Sequence, residues 1–257
     1  MSTLKNDIIV NPSDLYTAIS NVSTTVPYTT QTPPLGVRAV TGDGREFRYV
    51  QAGAAALIVG QVQQGPVVPT TTVGTCPALA VGATTATLTI TSSTVAAGFF
   101  AGGFLTTAGT VASGGGQCLK IANNNAITSS TSIIITLEDP VQFAITTSAT
   151  FVLTPSLYLG VVVTPTTLTA AVAGVALAVS NNTSTTLNGL PASYYGWLQV
   201  KGFANVQGAG TVTAWLGVAP SGTTGGCVSV VAATTPQIGI AQATTTAGYM
   251  PINLLIS

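Results

Sequence analysis

Histidine is missing from this chain altogether, and charge nearly so. Six basic and six acidic residues in 257 make 5%, against roughly 25% in ordinary soluble domains. Without imidazole there is no Ser–His or Cys–His nucleophile pair and no His ligand for zinc. Six basic residues neutralise few phosphates, so nucleic acid is not an expected partner. Cysteine is scarce too: Cys76, Cys118 and Cys227 are odd in number, widely spaced and without a C-x-x-C pair. That excludes a disulfide framework and predicts buried free thiols acting as small apolar side chains. No apolar run reaches eighteen residues; the longest, "LTAAVAGVALAV", is too short to cross a membrane as a helix. Aromatics are 6%, scattered singly, and do not form the girdles of an outer-membrane barrel. The start, "MSTLKNDIIVNPSD", has no basic segment followed by an apolar one, so no signal peptide is expected. Neither a membrane nor a cofactor is an expected partner.

What is there is β-forming. The chain holds 44 threonines, about one residue in six, with abundant Val and Ile and 28 glycines. Thr, Val and Ile favour strands, and Gly and Pro punctuate turns. An apolar fraction of 46% separates the chain from disordered sequences. A surface neutralised by Thr, Ser, Asn and Gln is poorly protected against association, so the chain is expected to pack against copies of itself or other proteins. Residues 1–34, with Pro12, Pro27, Pro33 and Pro34, read as an extended N-terminal arm in which "PSDLYTAIS" forms one helical turn capped by Ser13. Residues 35–72 and 160–257 read as a core antiparallel β-barrel or sandwich, with strands at "ALIVGQVQQ", "LYLGVVVTP", "VAGVALAVS", "YYGWLQVKGFANV", "TVTAWLGVA", "CVSVVAA", "QIGIAQA" and "MPINLLIS". Residues 73–159 differ in texture. "ATTATLTITSST" alternates Thr with apolar residues, and "SIIITLEDPVQFAITTSATFVLTP" supplies two strands around a Glu138-Asp139-Pro140 turn. This segment reads as an inserted second β-domain. The fold class is therefore all-β.

Charge is concentrated in one place. "LGVRAVTGDGREFRYV" carries Arg38, Asp43, Arg45, Glu46 and Arg48, five of the twelve charges within eleven positions. Asp-Gly between two alternating runs predicts a hairpin. With Asp43-Gly44 as a two-residue loop, Val40 faces Phe47, Arg38 faces Tyr49, Thr41 faces Glu46 and Ala39 faces Arg48. That register predicts Arg38 over the Tyr49 ring and Glu46 beside Arg48.

The chemistry available to these residues is limited. Asp43 and Glu46 sit beside three Arg, which suits ion pairs better than acid catalysis. Glu138 and Asp139 are neighbours on a turn, so their side chains diverge instead of facing one bond. No glycine pattern opens a phosphate-binding helix, and "TLTIT" lacks the regular repeat of an ice-binding ladder. Tyr195 and Trp197 share one strand face while Tyr194 takes the other, which suits packing or an interface better than a sugar platform. No catalytic or metal-binding residue is assigned, and the chain is not expected to be an enzyme. Arg38, Arg45, Arg48, Tyr49, Tyr195 and Trp197 are the candidate interface residues.

At "YVQAGAAALIVGQVQQG", "GVVVTPTTLTAAVAGVALAVS" and "YYGWLQVKGFANV" the chain resembles tailed-bacteriophage virion structural proteins of the head decoration, or cement, type. Those proteins share a "GVA" strand and a G-W-x-Q strand in a small β-barrel, and "FFAGGFLTTAGTVASGGGQCLKIANNN" looks like the β-insert of their larger members. The resemblance covers most of residues 36–257. It implies a non-enzymatic protein on the outer capsid surface of the virion, assembled in the host bacterial cytoplasm. It also implies binding to the major capsid protein and to itself, often as a trimer. The second reading is a tail fibre or other host-recognition component, with the insert and the Tyr/Trp strand contacting cell-surface glycans.

Overall fold

The computed structural model describes residues 7–9, 29–31, 33–67, 73–177, 189–232, 235–246 and 248–256. The expected helical turn at "PSDLYTAIS" lies outside them. Two compact units are formed, one from residues 1–66 and 160–257 and the other from Val67 to Leu159. In chain order the strands are β1 Asp7–Ile9, β2 Arg38–Val40, β3 Glu46–Ala52, β4 Val62–Gln64, β5 Val73–Thr75, β6 Thr85–Val95, β7 Phe104–Ala108, β8 Cys118–Asn124 and β9 Ile127–Leu137. They continue with β10 Thr150–Thr154, β11 Leu159–Val163, β12 Val172–Ala176, β13 Tyr195–Gly208, β14 Gly217–Pro220, β15 Val228–Val230, β16 Gly239–Ala241 and β17 Gly248–Leu255. One short 3-10 turn at Val111–Ser113 is the only helical element among the described residues. The protein is all-β, and no helix among the described residues is long and apolar enough to cross a membrane.

The first unit is built around β13, fourteen residues long. The sheet runs β1-β2-β3-β11-β4-β12-β13-β15-β14-β16-β17, and β13 also bonds to β3 and to β17. The ladder therefore returns to β13 twice and curls into a nearly closed, barrel-like form. Its sequence explains the double use. Leu198, Gln199 and Val200 are buried in succession, where β3 and β12 flank the strand. Beyond Lys201 the strand alternates: Ala204 and Val206 point into a core with Val212, Val218, Met250, Ile252 and Leu254, while Phe203 is exposed. Each Val, Met, Ile or Leu side chain removed from water here contributes about 1.5–3 kcal/mol.

Two pairings depart from the expected antiparallel pattern. β1 runs parallel to β2, with Asp7 opposite Arg38, so this piece of the N-terminal segment lies on the chain's own sheet. β13 also meets β15 in parallel at Gly208 and Val228. Within β12 a bulge falls between Val172 and Gly174. Gly174 has φ +150° and lies so close to β13 that an added methyl would sit 2.8 Å from Leu198 Cβ.

In the second unit six strands form an antiparallel sheet in the order β5-β10-β7-β8-β9-β6. The alternation seen in sequence decides its faces. Ala86, Leu88 and Ile90 of β6 and Ile133, Ile135 and Leu137 of β9 are buried with Phe100, Leu105, Leu119, Ile121, Phe151 and Leu153. Thr85, Thr87 and Thr89 take the opposite, exposed face. The strands on either side of Glu138-Asp139-Pro140 are not neighbours, since β8 and β7 lie between β9 and β10. Lys120 draws both carboxylates back toward β8: its ammonium pairs with Glu138 at 2.6 Å, and its backbone N–H donates to Asp139 Oδ2 at 2.9 Å.

Candidate interface at the charged hairpin

The hairpin forms at the expected place with a different register. Arg38 lies opposite Arg48, Ala39 opposite Phe47 and Val40 opposite Glu46. The loop holds three residues, Gly42-Asp43-Gly44, closed by Gly44 N–H to Thr41 O at 2.9 Å and Thr41 N–H to Arg45 O at 3.0 Å. Gly44 at φ +84° adopts the left-handed conformation that a three-residue hairpin loop places at its last position. One extra loop residue shifts the pairing by one and exchanges faces. The gain is visible in the core, where Ala39 and Phe47 become fully buried side by side.

This register rewrites the predicted contacts. Arg38 does not lie opposite Tyr49. It grips Glu46 diagonally with two charge-assisted bonds, Nε to Oε2 at 2.9 Å and an Nη to Oε1 at 2.7 Å. Glu46 does not pair with Arg48 but with Lys201, whose Nζ reaches Oε1 at 3.1 Å from β13. The Arg38 hydrogen bonds, and after them those from Lys201, pull the Glu46 carboxyl down to about 2. Arg48 donates to Gly36 O at 3.0 Å, tying β3 to the segment before β2. At the tip, Asp43 accepts from the Thr41 hydroxyl, from Arg45 N–H at 3.3 Å and from Arg45 Nε at 2.8 Å. The Thr41 bond leads the causes that lower its pKa. The cation–π contact is made by Arg45 over Phe47 at 5.8 Å.

The aromatic half of the candidate set does come together. Trp197 lies opposite Tyr49 and Tyr195 opposite Gln51 across β3 and β13. Tyr49 stacks on Tyr195 with centroids 6.1 Å apart, and meets Trp197 edge-on at 5.1 Å. Tyr49 is itself buried, only 5% exposed, and Trp197 leans on Ala39 and Phe47. Tyr49 therefore offers a partner little surface; Tyr195 and Trp197, half-buried, offer more.

Sequence reasoning missed Lys201. One signal for it was present: it is among the four charged residues beyond Tyr49, and it sits in a strand already identified. The expectation of three buried thiols also needs correcting. Cys76 and Cys227 are buried, and burial pushes both thiols up, but Cys118 is exposed at the start of β8. Among the described residues no group of three or more Cys, Asp or Glu is placed to hold a metal ion. Comparison of the chain with known protein families, with curated proteins and with solved structures finds no match.

Proposed function

We propose that this chain is a non-enzymatic structural protein of a tailed-phage virion, bound to the outer capsid surface and stabilising it by bridging major capsid protein subunits. The observation that carries the reading is how the surface is composed. Most of the charges described in the structure are spent in pairs within the chain: Arg38 and Lys201 on Glu46, Arg45 on Asp43, Lys120 on Glu138. Elsewhere among the described residues large apolar side chains stand in water, among them Phe143 at 67% and Val111 at 88%. A neutral surface rich in hydroxyls with exposed apolar anchors suits a protein that buries much of itself in neighbours, and such interfaces commonly exceed about 2,000 Å². The resemblance at β4, β12 and β13 points the same way. The hairpin serves here as a clasp within the chain: the guanidinium groups of Arg38, Arg45 and Arg48 are held by Glu46, Asp43 and Gly36 O, and only their outer edges face a partner.

Co-sedimentation with expanded, decoration-free capsids of the encoding phage tests the reading. Saturable binding with a fixed number of copies per capsid is expected. Free protein at saturating concentration would overturn it.

A further inference from the structure

Trp215 is the most exposed large aromatic side chain among the described residues, at 73%. Its backbone has φ +69°, the left-handed region that side chains other than Gly rarely adopt. The turn that carries it is fixed on both sides: Trp215 N–H donates to Ala241 O at 2.8 Å, Ala241 N–H to Leu216 O at 3.0 Å, and Ala214 N–H to Thr244 Oγ1 at 3.0 Å. The neighbouring Leu216 is also exposed. A strained, well-pinned turn that holds an indole in water has the features of a binding anchor.

The same unit contains a pocket of about 350 Å³ lined by Leu168, Val172, Pro236, Ile238 and Ile256 among others, with Gln237 as its one polar side chain. That volume is within the range that accepts an aromatic group. Gln237 is turned so that its Nε2 donates to Gly239 O at 3.3 Å, which leaves the amide oxygen as an acceptor for an indole N–H. Pocket and anchor are close along the sheet: a methyl placed on Gly217, two residues after Trp215, would lie 3.0 Å from Gln237 Cδ. At 73% exposure the indole does not fill the pocket of its own chain.

We propose that Trp215 of one copy of this chain inserts into this pocket of a second copy. The occupant follows from charge and completeness. Neither the turn at 213–216 nor the pocket lining carries a charged residue, and the chain's net charge is zero, so approaching copies do not repel one another. Each copy supplies both halves of the contact, which lets the assembly close as a pair or a ring. The proposal does not rest on the capsid reading, because self-association is measured on purified protein alone.

Sedimentation equilibrium over a wide concentration range gives the first test, with a concentration-dependent oligomer expected. Trp215→Gly keeps the turn, since Gly adopts this φ freely, and is expected to weaken association by about thirtyfold or more. Ala171→Arg puts a charge into the pocket and is expected to do the same. Mixing the two variants is expected to give a heterodimer held by one contact, tighter than either variant alone and weaker than wild type, since one retains the anchor and the other the pocket. The chain has two tryptophans, so Trp197→Phe makes Trp215 the sole indole, and its emission is expected to shift to the blue as concentration rises. A wild-type protein that stays monomeric, or a folded Trp215→Gly protein that associates as tightly as wild type, overturns the proposal.

Discussion

Glu46 shows most directly what one residue does for this fold. Its carboxylate holds Arg38 on the neighbouring strand and Lys201 on β13, so one side chain joins three strands. Its pKa falls from 4.5 to about 2 on folding. The sign follows: the unfolded chain takes up this proton first, so the contribution is complete above about pH 4.5 and is lost as pH falls toward 2. A shift of this size corresponds to about 3 kcal/mol, and solvent screening around the exposed Lys201 reduces it to about 1–2 kcal/mol. Glu46→Gln is therefore expected to lose that much stability at pH 7, and to show a shallower fall between pH 5 and 2, in denaturant titrations followed by circular dichroism. The thiols make a second prediction. Cys118 is exposed while Cys76 and Cys227 are buried with raised pKa values. A thiol-specific reagent is expected to modify one cysteine rapidly in the native protein and all three in denaturant. Rapid modification of two or more in the native state would contradict the assigned burial.

At the scale of elements, the β12–β13 pair depends on Gly174. An alanine there must take φ near +150° and place its methyl 2.8 Å from Leu198 Cβ. Gly174→Ala is expected to cost about 2–4 kcal/mol, combining backbone strain with a steric clash, as read from urea midpoints. The hairpin makes a different prediction. Arg45→Ala combined with Arg48→Ala leaves the Arg38–Glu46–Lys201 links in place. The folded double variant is expected to bind capsids with a flatter salt dependence than wild type. An unchanged slope would reduce the hairpin to a clasp inside the chain.

These elements also show what was legible in the sequence. The strands and their buried faces were, because "TATLTI" and "SIIITL" alternate with period two, and their threonines take the exposed face opposite Leu88 and Ile133. The hairpin was legible from Asp-Gly, but its register was not. Two- and three-residue loops both fit "TGDGR", and the choice is made by burying Ala39 against Phe47. Strand order in the second unit was hidden as well. Neighbours in sequence, β9 and β10, are separated by two strands, and no local signal encodes that. Of the candidate site, the meeting of Tyr49, Tyr195 and Trp197 required only two strands to pair, whereas the exposed Trp215 depends on a backbone angle that sequence does not display.

For the whole molecule, the fold gives two β units with separate cores and a surface whose charge has been drawn into local pairs. In the proposed role this neutrality has a use, because a shell component packed among many copies meets the same surface repeatedly and any strong field would repel. The glycan-binding alternative uses the inserted unit and the half-buried Tyr195 and Trp197, and needs only a few copies at the tail. The two readings differ in where the protein sits. Antibody labelling of intact particles of the encoding phage, located by electron microscopy, measures that directly. A capsid decoration protein is expected to carry label over the whole shell, and label confined to the tail would overturn that role.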